Sequence, residues 1–465
     1  MPKLMRCPFC GLLQDEPAGV KTCQRCGGEL AFEDVQALTQ GKSYLKTQME
    51  LDQVNAPASQ MVDRYLLVTL RTPEKVPVDY QSKTETGRPP LSLSVVLDIS
   101  GSMHGQKIEH TKKALEMAAR LLRDGDALAM VVFSDDAKLV MEPKRYNNQT
   151  KKVFLSLVDE IHPGGSTALS AGLALGLAQA EAMPTENRLT LLLSDGHANI
   201  GETDLEVIGQ SAKAASKHGI LVSTLGVGMG YNEALMTEIA TQGKGRFYHV
   251  QNPQEILNYM TAELGEAADL AAEDVKIHLD LPKGAGLMPL SQSYDCQIQD
   301  GQAVVSVGDI PLDLEVEIPL RLTLHPAKAG ARLGVEGKII HQTPSGEILN
   351  APLNRVTVRI LDQPGYQAGK AVVQPVAEKV ARQLHASQVL SYSRALSTRD
   401  KKELQDVERA RARLDDYLNL LDDQRRSQLS QEMQEDITSL RTASPKAKDA
   451  VFNAYRTSRS MRNKD

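Results

Sequence analysis

Between residue 91 and about residue 267, short apolar runs alternate with amphipathic stretches long enough for helices. The runs at 91–98 (LSLSVVLD), 126–133 (DALAMVVF), 188–194 (RLTLLLS), 219–226 (GILVSTLG) and 246–250 predict strands. The stretches 106–123, 148–159, 168–183, 203–218, 232–242 and 253–267 predict the helices between them. Strands that are apolar on both faces and separated by helices belong to a parallel sheet covered on both sides. This is the pattern of a doubly wound α/β domain, spanning 89–267. Segment 137–141 follows its predecessor after a three-residue gap, too short for a crossover, so it should be an antiparallel edge strand.

On either side the period changes to two. Residues 44–53 and 62–72 alternate apolar and polar positions, and so do VKIHLDL, CQIQD, AVVSVGDI, LEVEIPLRLTLH, LGVEGKII and NRVTVRIL within 273–361. Turn residues separate these runs at the spacing of an antiparallel β-sandwich. An isolated hairpin at 44–72 would be marginal in water. The early strands are therefore expected to join the later ones, with 44–88 and 271–362 forming one discontinuous β-sandwich into which the α/β domain is inserted. Residues 73–90 hold Pro73, Pro77, Pro89 and Pro90 and read as a linker. Helical periodicity resumes at 369–397, 400–421 and 425–441, within a helical region at 366–442. Leu404, Val407, Leu414, Leu418 and Leu421 mark one buried stripe there. Residues 443–465, with six Lys or Arg in the last twenty positions, read as a flexible basic tail.

Composition changes this picture at one end. Four of the five cysteines fall within the first 26 of 465 residues, as Cys7-Pro8-Phe9-Cys10 and Cys23-Gln24-Arg25-Cys26. Two CxxC turns offer four thiolates, the tetrahedral set that structural Zn²⁺ prefers. A module of some forty residues (1–40) cannot build a core alone, so metal binding would supply its folding energy. Residues 5–30 resemble zinc ribbons of the CPxCG…CxxCG type. Four thiolates close the coordination sphere, which implies a structural rather than a catalytic ion. Cys296 lies in an alternating run and reads as a small buried hydrophobe. The clustering of cysteines, the lack of a signal-like N-terminus and the lack of any apolar run of about 18 residues point to a cytoplasmic chain without a membrane-spanning helix.

The candidate chemistry is a set of oxygen donors in three separated loops. The first strand of the α/β domain ends in Asp98-Ile99-Ser100-Gly101-Ser102, a second loop carries Gly164-Gly165-Ser166-Thr167, and a third reads Ser194-Asp195-Gly196. In a doubly wound sheet all three lie at the carboxyl ends of strands, where such folds place their sites. Two carboxylates with three hydroxyls suit Mg²⁺ or Mn²⁺ and suit soft metals poorly.

In order and context these motifs resemble the von Willebrand factor A (vWA) domain and its metal-ion-dependent adhesion site. The DxSxS element is Asp98, Ser100 and Ser102, the distant Thr is Thr167 and the distant Asp is Asp195. The resemblance covers residues 90–267 and includes Leu225-Gly226-Val227-Gly228. It implies direct coordination by the two Ser and the Thr, Asp ligation directly or through water, and a last ligand taken from an acidic residue of a partner protein. His104 and His197 adjoin the site but match no ligand position.

No GxxxxGK(S/T) loop, GxSxG elbow or HExxH helix occurs, and no general base accompanies the metal motif. The expected function is therefore that of a non-enzymatic interaction scaffold. Two other readings are a nucleic-acid-associated zinc-ribbon/vWA scaffold and a co-factor subunit of an AAA+ ATPase system. A net charge of −6 and basic residues without stacking aromatics disfavour nucleic acid.

Overall fold

The computed structural model describes residues 3–6, 13–16, 43–80, 90–185, 187–252, 255–256, 258–260, 264, 270–368, 372–459 and 461–463. Strands β1 (Lys3–Arg6) and β2 (Leu13–Glu16) pair antiparallel. Cys7, Cys10, Cys23 and Cys26 lie outside the described residues, as does most of the helix expected at 253–267.

Three strands precede the α/β unit: β3 (Lys46–Leu51), β4 (Asn55–Pro57) and β5 (Val62–Arg71). The unit itself runs β6 (Leu91–Asp98), α1 (Gln106–Leu121), β7 (Ala127–Phe133), β8 (Ala137–Arg145), α2 (Asn148–Asp159), α3 (Leu169–Glu181), β9 (Asn187–Ser194), α4 (Leu205–Lys217), β10 (Ile220–Val227), α5 (Glu233–Gln242) and β11 (Lys244–Val250). Its sheet has the order β11-β10-β9-β6-β7-β8, parallel throughout except for the antiparallel edge strand β8. β8 runs four residues past the expected 141 and includes Pro143, which an edge strand tolerates because it has no ladder bond to donate outward.

Every residue of β6 is buried, and its alternate positions feed two cores. Leu91, Leu93, Val95 and Leu97 face α1 and α2, whereas Val96 joins Val131, Phe133 and Leu192 beneath α3, α4 and α5. Helix α3 sits unusually close. A Cβ at Gly176 would lie 2.1 Å from Val96 Cγ2, and one at Gly172 would lie 2.4 Å from the Phe133 ring. These helix-interior glycines exchange about 1 kcal/mol of propensity each for that approach. It also brings the Gly176 carbonyl within 2.8 Å of buried Ser94 Oγ, which donates to it.

After the unit come β12 (Leu270–Asp280), β13 (Gly286–Pro289), β14 (Asp295–Gln299), β15 (Gln302–Pro311), β16 (Leu314–Leu324), β17 (Arg332–Gln342) and β18 (Ile348–Leu361). They form two sheets, β14-β15-β12-β17-β18-β4 and β13-β16-β5-β3. β5 pairs with β16 along its whole length, from Val62–Leu324 to Arg71–Glu315. Met49, Leu66, Val68, Ile277, Val305, Val316 and Ile339, drawn from both sheets, share one apolar core. The short strands β4 and β13 were not anticipated, and β4 pairs parallel to β18 rather than antiparallel.

A short helix (Gln363–Ala368) leads to α6 (Gln374–Thr398), α7 (Lys401–Leu418), α8 (Asp423–Arg441) and α9 (Lys446–Ser458). Of the stripe read from the sequence, Val407, Leu414, Leu418 and Leu421 are buried, whereas Leu404 is half-buried. Helix α9 corrects the expectation of a flexible tail. Ala447, Ala450, Val451, Ala454 and Tyr455 are buried at helical spacing. Small alanines carry that stripe, so the surrounding Lys and Arg mask it when the segment is read by charge. Lys448 is itself 8% exposed, donating to the Tyr231 carbonyl at 2.6 Å and pairing with Glu233 at 2.7 Å. The tail end continues into β19 (Met461–Asn463), paired with β16.

One buried titratable group gives a prediction. His341 of β17 is fully buried against Ser43 Oγ, 2.7 Å from its Nε2, and burial pushes its imidazole down to about 4. The unfolded chain, with an imidazole at its ordinary 6.5, takes up this proton first on acidification. The contribution of neutral His341 is therefore complete above that value and is lost as pH falls towards 4, amounting to about 3 kcal/mol. Thermal unfolding from pH 7 to pH 4 should show a shallower loss of stability in His341→Gln than in the parent. Equal slopes would contradict the assignment.

Candidate functional site

The strand order places β6 between β9 and β7, so the chain leaves β6 on one side and returns on the other. The crevice at that reversal is where open α/β sheets bind ligands. Three of the loops that meet there carry the five residues singled out from the sequence.

Asp98 is the last residue of β6 and is fully buried. Its Oδ1 accepts from the backbone N of Ser100 at 2.8 Å and its Oδ2 from Ser194 Oγ at 2.5 Å. Ser100 Oγ lies 3.0 Å from Ser102 Oγ, and Ser102 Oγ donates to Asp195 Oδ1 at 2.7 Å. One hydrogen-bonded chain thus joins the DxSxS loop to the loop after β9. Thr167 enters through Gly196: a Cβ there would lie 3.1 Å from Thr167 Oγ1 and 3.7 Å from Asp98 Oδ2. A side chain at position 196 would fill the space between the two donors, so glycine keeps that space open.

Backbone bonds fix the loops. The Gly101 amide donates to the Gly165 carbonyl at 3.0 Å, and the Gly164 amide to the Ile99 carbonyl at 2.7 Å. Asn199 Oδ1 accepts from the Thr167 amide at 2.9 Å, and Asp135 Oδ1 from the Ser166 amide at 2.8 Å. Sequence reading missed Ser194, Asn199, Asp135 and Lys107. Ser194 was visible as the polar end of an apolar strand. The other three lie outside any motif and reach the site only through tertiary contacts. The Lys107 ammonium, from the first turn of α1, pairs with Asp195 Oδ2 and donates to the Ser102 carbonyl at 3.2 Å.

The electrostatics favour a cation. Burial is the chief influence raising the Asp98 carboxyl above its ordinary range, and the like charge of Asp195 adds to it. Hydrogen bonds from Ser194 and Ser100 act in the opposite direction. Two nearly inaccessible carboxylates, Asp98 at 0% and Asp195 at 1%, beside three hydroxyls form a hard-oxygen set that fits Mg²⁺ or Mn²⁺. Ser100 and Thr167 are buried, whereas Ser102 is exposed, so the set opens to solvent on one side. Among the described residues no group of three or more His, Cys, Asp or Glu is placed to hold a metal.

The remaining candidates add no donor to the set, although His104 Nδ1 lies 3.0 Å from the Gly101 carbonyl of the DxSxS loop. His104 and His197 are exposed. Cys296 is half-buried in β14, its thiol pushed up by burial and its Sγ 3.8 Å from the Leu287 carbonyl. Among the described residues no helix is long and apolar enough to cross a membrane.

A fold and loop set of this kind define a vWA-type α/β domain, and residues 93–262 match the family described as von Willebrand factor type A domain. The chain carries that domain together with mixed sheets and a C-terminal helical region. It is 28% identical over 291 residues to the uncharacterized protein sll0103 of Synechocystis, covering 60% of this chain and 68% of that one. To the uncharacterized protein YfbK of Escherichia coli it is 28% identical over 215 residues, 45% of this chain and 37% of the relative, so it spans well under half of that protein's length. In fold it is similar to a solved von Willebrand factor type A protein from Catenulispora acidiphila. That likeness has a TM-score of 0.62 at 17% identity and covers 91% of this chain and 99% of the other.

Proposed function

We propose that this protein is a non-enzymatic, cytoplasmic protein–protein interaction scaffold whose vWA domain captures an Asp or Glu side chain of a partner through a bound Mg²⁺ ion, with Mn²⁺ able to substitute. The observation that carries this reading is the linked donor set Asp98–Ser100–Ser102–Asp195, with Thr167 across Gly196. The three hydroxyls add no negative charge beyond that of the two carboxylates, so the ion is not over-neutralised, and the open side at Ser102 gives an outside carboxylate access to it. Within this reading Asp98, Ser100, Ser102, Thr167 and Asp195 hold the ion, and the ion supplies only electrostatic attraction and a coordination position. Domains of this class mediate protein–protein contact, which supports an interaction role.

We read the two β-sheets as one sandwich interrupted by the vWA domain, and Cys7, Cys10, Cys23 and Cys26 as ligands of a structural Zn²⁺. A nucleic-acid role is less well supported, because basic residues near the C-terminus are engaged within the chain. Lys448 pairs with Glu233, and Arg459 donates to the Lys244 carbonyl at 3.0 Å.

The test is retention of partners from cell extract in Mg²⁺ and in EDTA, by the parent and by Asp98→Ala. The expected result is a set of proteins held only by the parent and released by EDTA. If Asp98→Ala keeps every partner of the parent, the bridging role fails.

A further inference from the structure

Lys107 stands apart from the donor set, yet its ammonium reaches into it. The side chain is 30% exposed, while the Asp195 side chain that it pairs with is fully buried. Its contacts there are Asp195 Oδ2 and the Ser102 carbonyl. Space for it is provided by Gly228, which has φ of +76°: a Cβ there would lie 3.2 Å from Lys107 Cε. The same glycine loop is pressed against the site, since a Cβ at Gly230 would lie 2.8 Å from the Asp195 carbonyl oxygen. The chain thus shapes both the carboxylate and the room for the ammonium beside it.

We propose that Lys107 is a tethered counter-ion of the cation site, which tunes metal affinity downward and makes the loaded site select an anionic ligand over a neutral one. This rests on the reading that the Asp98–Asp195 cluster holds a divalent ion. The charges follow directly. Asp98 and Asp195 as carboxylates balance a divalent ion to zero, and Lys107 then leaves one net positive charge at a mouth that is open to solvent. With no metal bound, the same ammonium compensates Asp195, whose burial would otherwise leave its charge costly.

An ion entering the cluster must loosen or share that pair and then sits beside a like charge, so Lys107 competes with metal. An anion entering afterwards feels ion and ammonium together, so Lys107 assists it. Lys suits this role because its ammonium is a point charge on a flexible stem and can shift away from Asp195 without leaving the site. The two effects have opposite signs, which a purely structural lysine would not produce.

The experiment uses the full chain stripped of divalent ions. Calorimetric titration with MnCl₂ gives the metal affinity, and acetate titrated into the Mn²⁺-loaded protein, followed by water-proton relaxation, gives the anion affinity. Lys107→Met should bind Mn²⁺ about tenfold more tightly and acetate about tenfold more weakly than the parent. Lys107→Arg should keep both within about threefold, as the charge is retained. Lys107→Gln is measured alongside, so that a folding defect in one variant does not decide the outcome. Unchanged or weaker Mn²⁺ binding in the neutral variants, or unchanged acetate binding, overturns the proposal while leaving the metal site standing. A parent that binds no Mn²⁺ overturns both.

Discussion

Asp98→Ala should abolish the stabilisation that divalent ions give this protein. With Mg²⁺ at a hundred times its dissociation constant, a one-site ligand that binds only the folded chain adds about 2.7 kcal/mol of stability. Asp98 is the fully buried carboxylate at the end of β6, and it accepts hydrogen bonds from the Ser100 amide and Ser194 Oγ. Its removal deletes one of two negative charges and unfastens the turn that presents Ser100 and Ser102. Thermal unfolding with Mg²⁺ and with EDTA should coincide for the variant and separate for the parent. Asp98→Asn, which keeps the shape and removes only the charge, should behave likewise. A variant that still gains the parent's full increment would place the ion elsewhere.

Leu66→Ala should be strongly damaging to the β-layers, costing about 2–5 kcal/mol. β5 lies between β16 and β3, and its alternate residues serve different cores. Leu66, Val68 and Leu70 face the core shared by the two sheets, while Leu67 points the other way and packs with Val376, Val380 and Leu418 of the helical region. Hydrogen exchange separates the two. Leu66→Ala should accelerate exchange in β12, β16 and β17, whereas Leu67→Ala should accelerate it chiefly in α6 and α7. Identical exchange patterns in the two variants would contradict this division of faces.

The parts of this structure that were legible in the sequence are those whose signal is local. β6, β7, β9 and β10 announce themselves as continuous apolar runs, because strands buried on both faces have no polar side to show. The DxSxS turn, Thr167 and Asp195 were legible because each is part of a short motif of polar residues directly after an apolar strand or directly before a helix. What stayed hidden depends on contacts distant in sequence. Nothing local marks Asn199 as the acceptor for the Thr167 amide or Lys107 as the partner of Asp195. The stripe of α9 was overlooked because alanine contributes little apolar signal, while Lys446, Lys448 and Arg456 dominate any reading by charge. Its burial against the α/β unit is visible only in contacts such as Tyr455 Oη donating to the Gly245 carbonyl at 2.9 Å. β4 is three residues long and takes its parallel place beside β18 from the sheet rather than from its own pattern.

In the proposed function, Asp98, Ser100, Ser102, Thr167 and Asp195 together hold a divalent cation. The most direct measurement is an anomalous difference map from crystals of the full chain grown in Mn²⁺. On this reading, a manganese peak should lie within coordinating distance of Ser100 Oγ, Ser102 Oγ and Thr167 Oγ1, on the solvent side of Asp98 and Asp195. A map with no peak there, or with its manganese bound at another part of the chain, would contradict it.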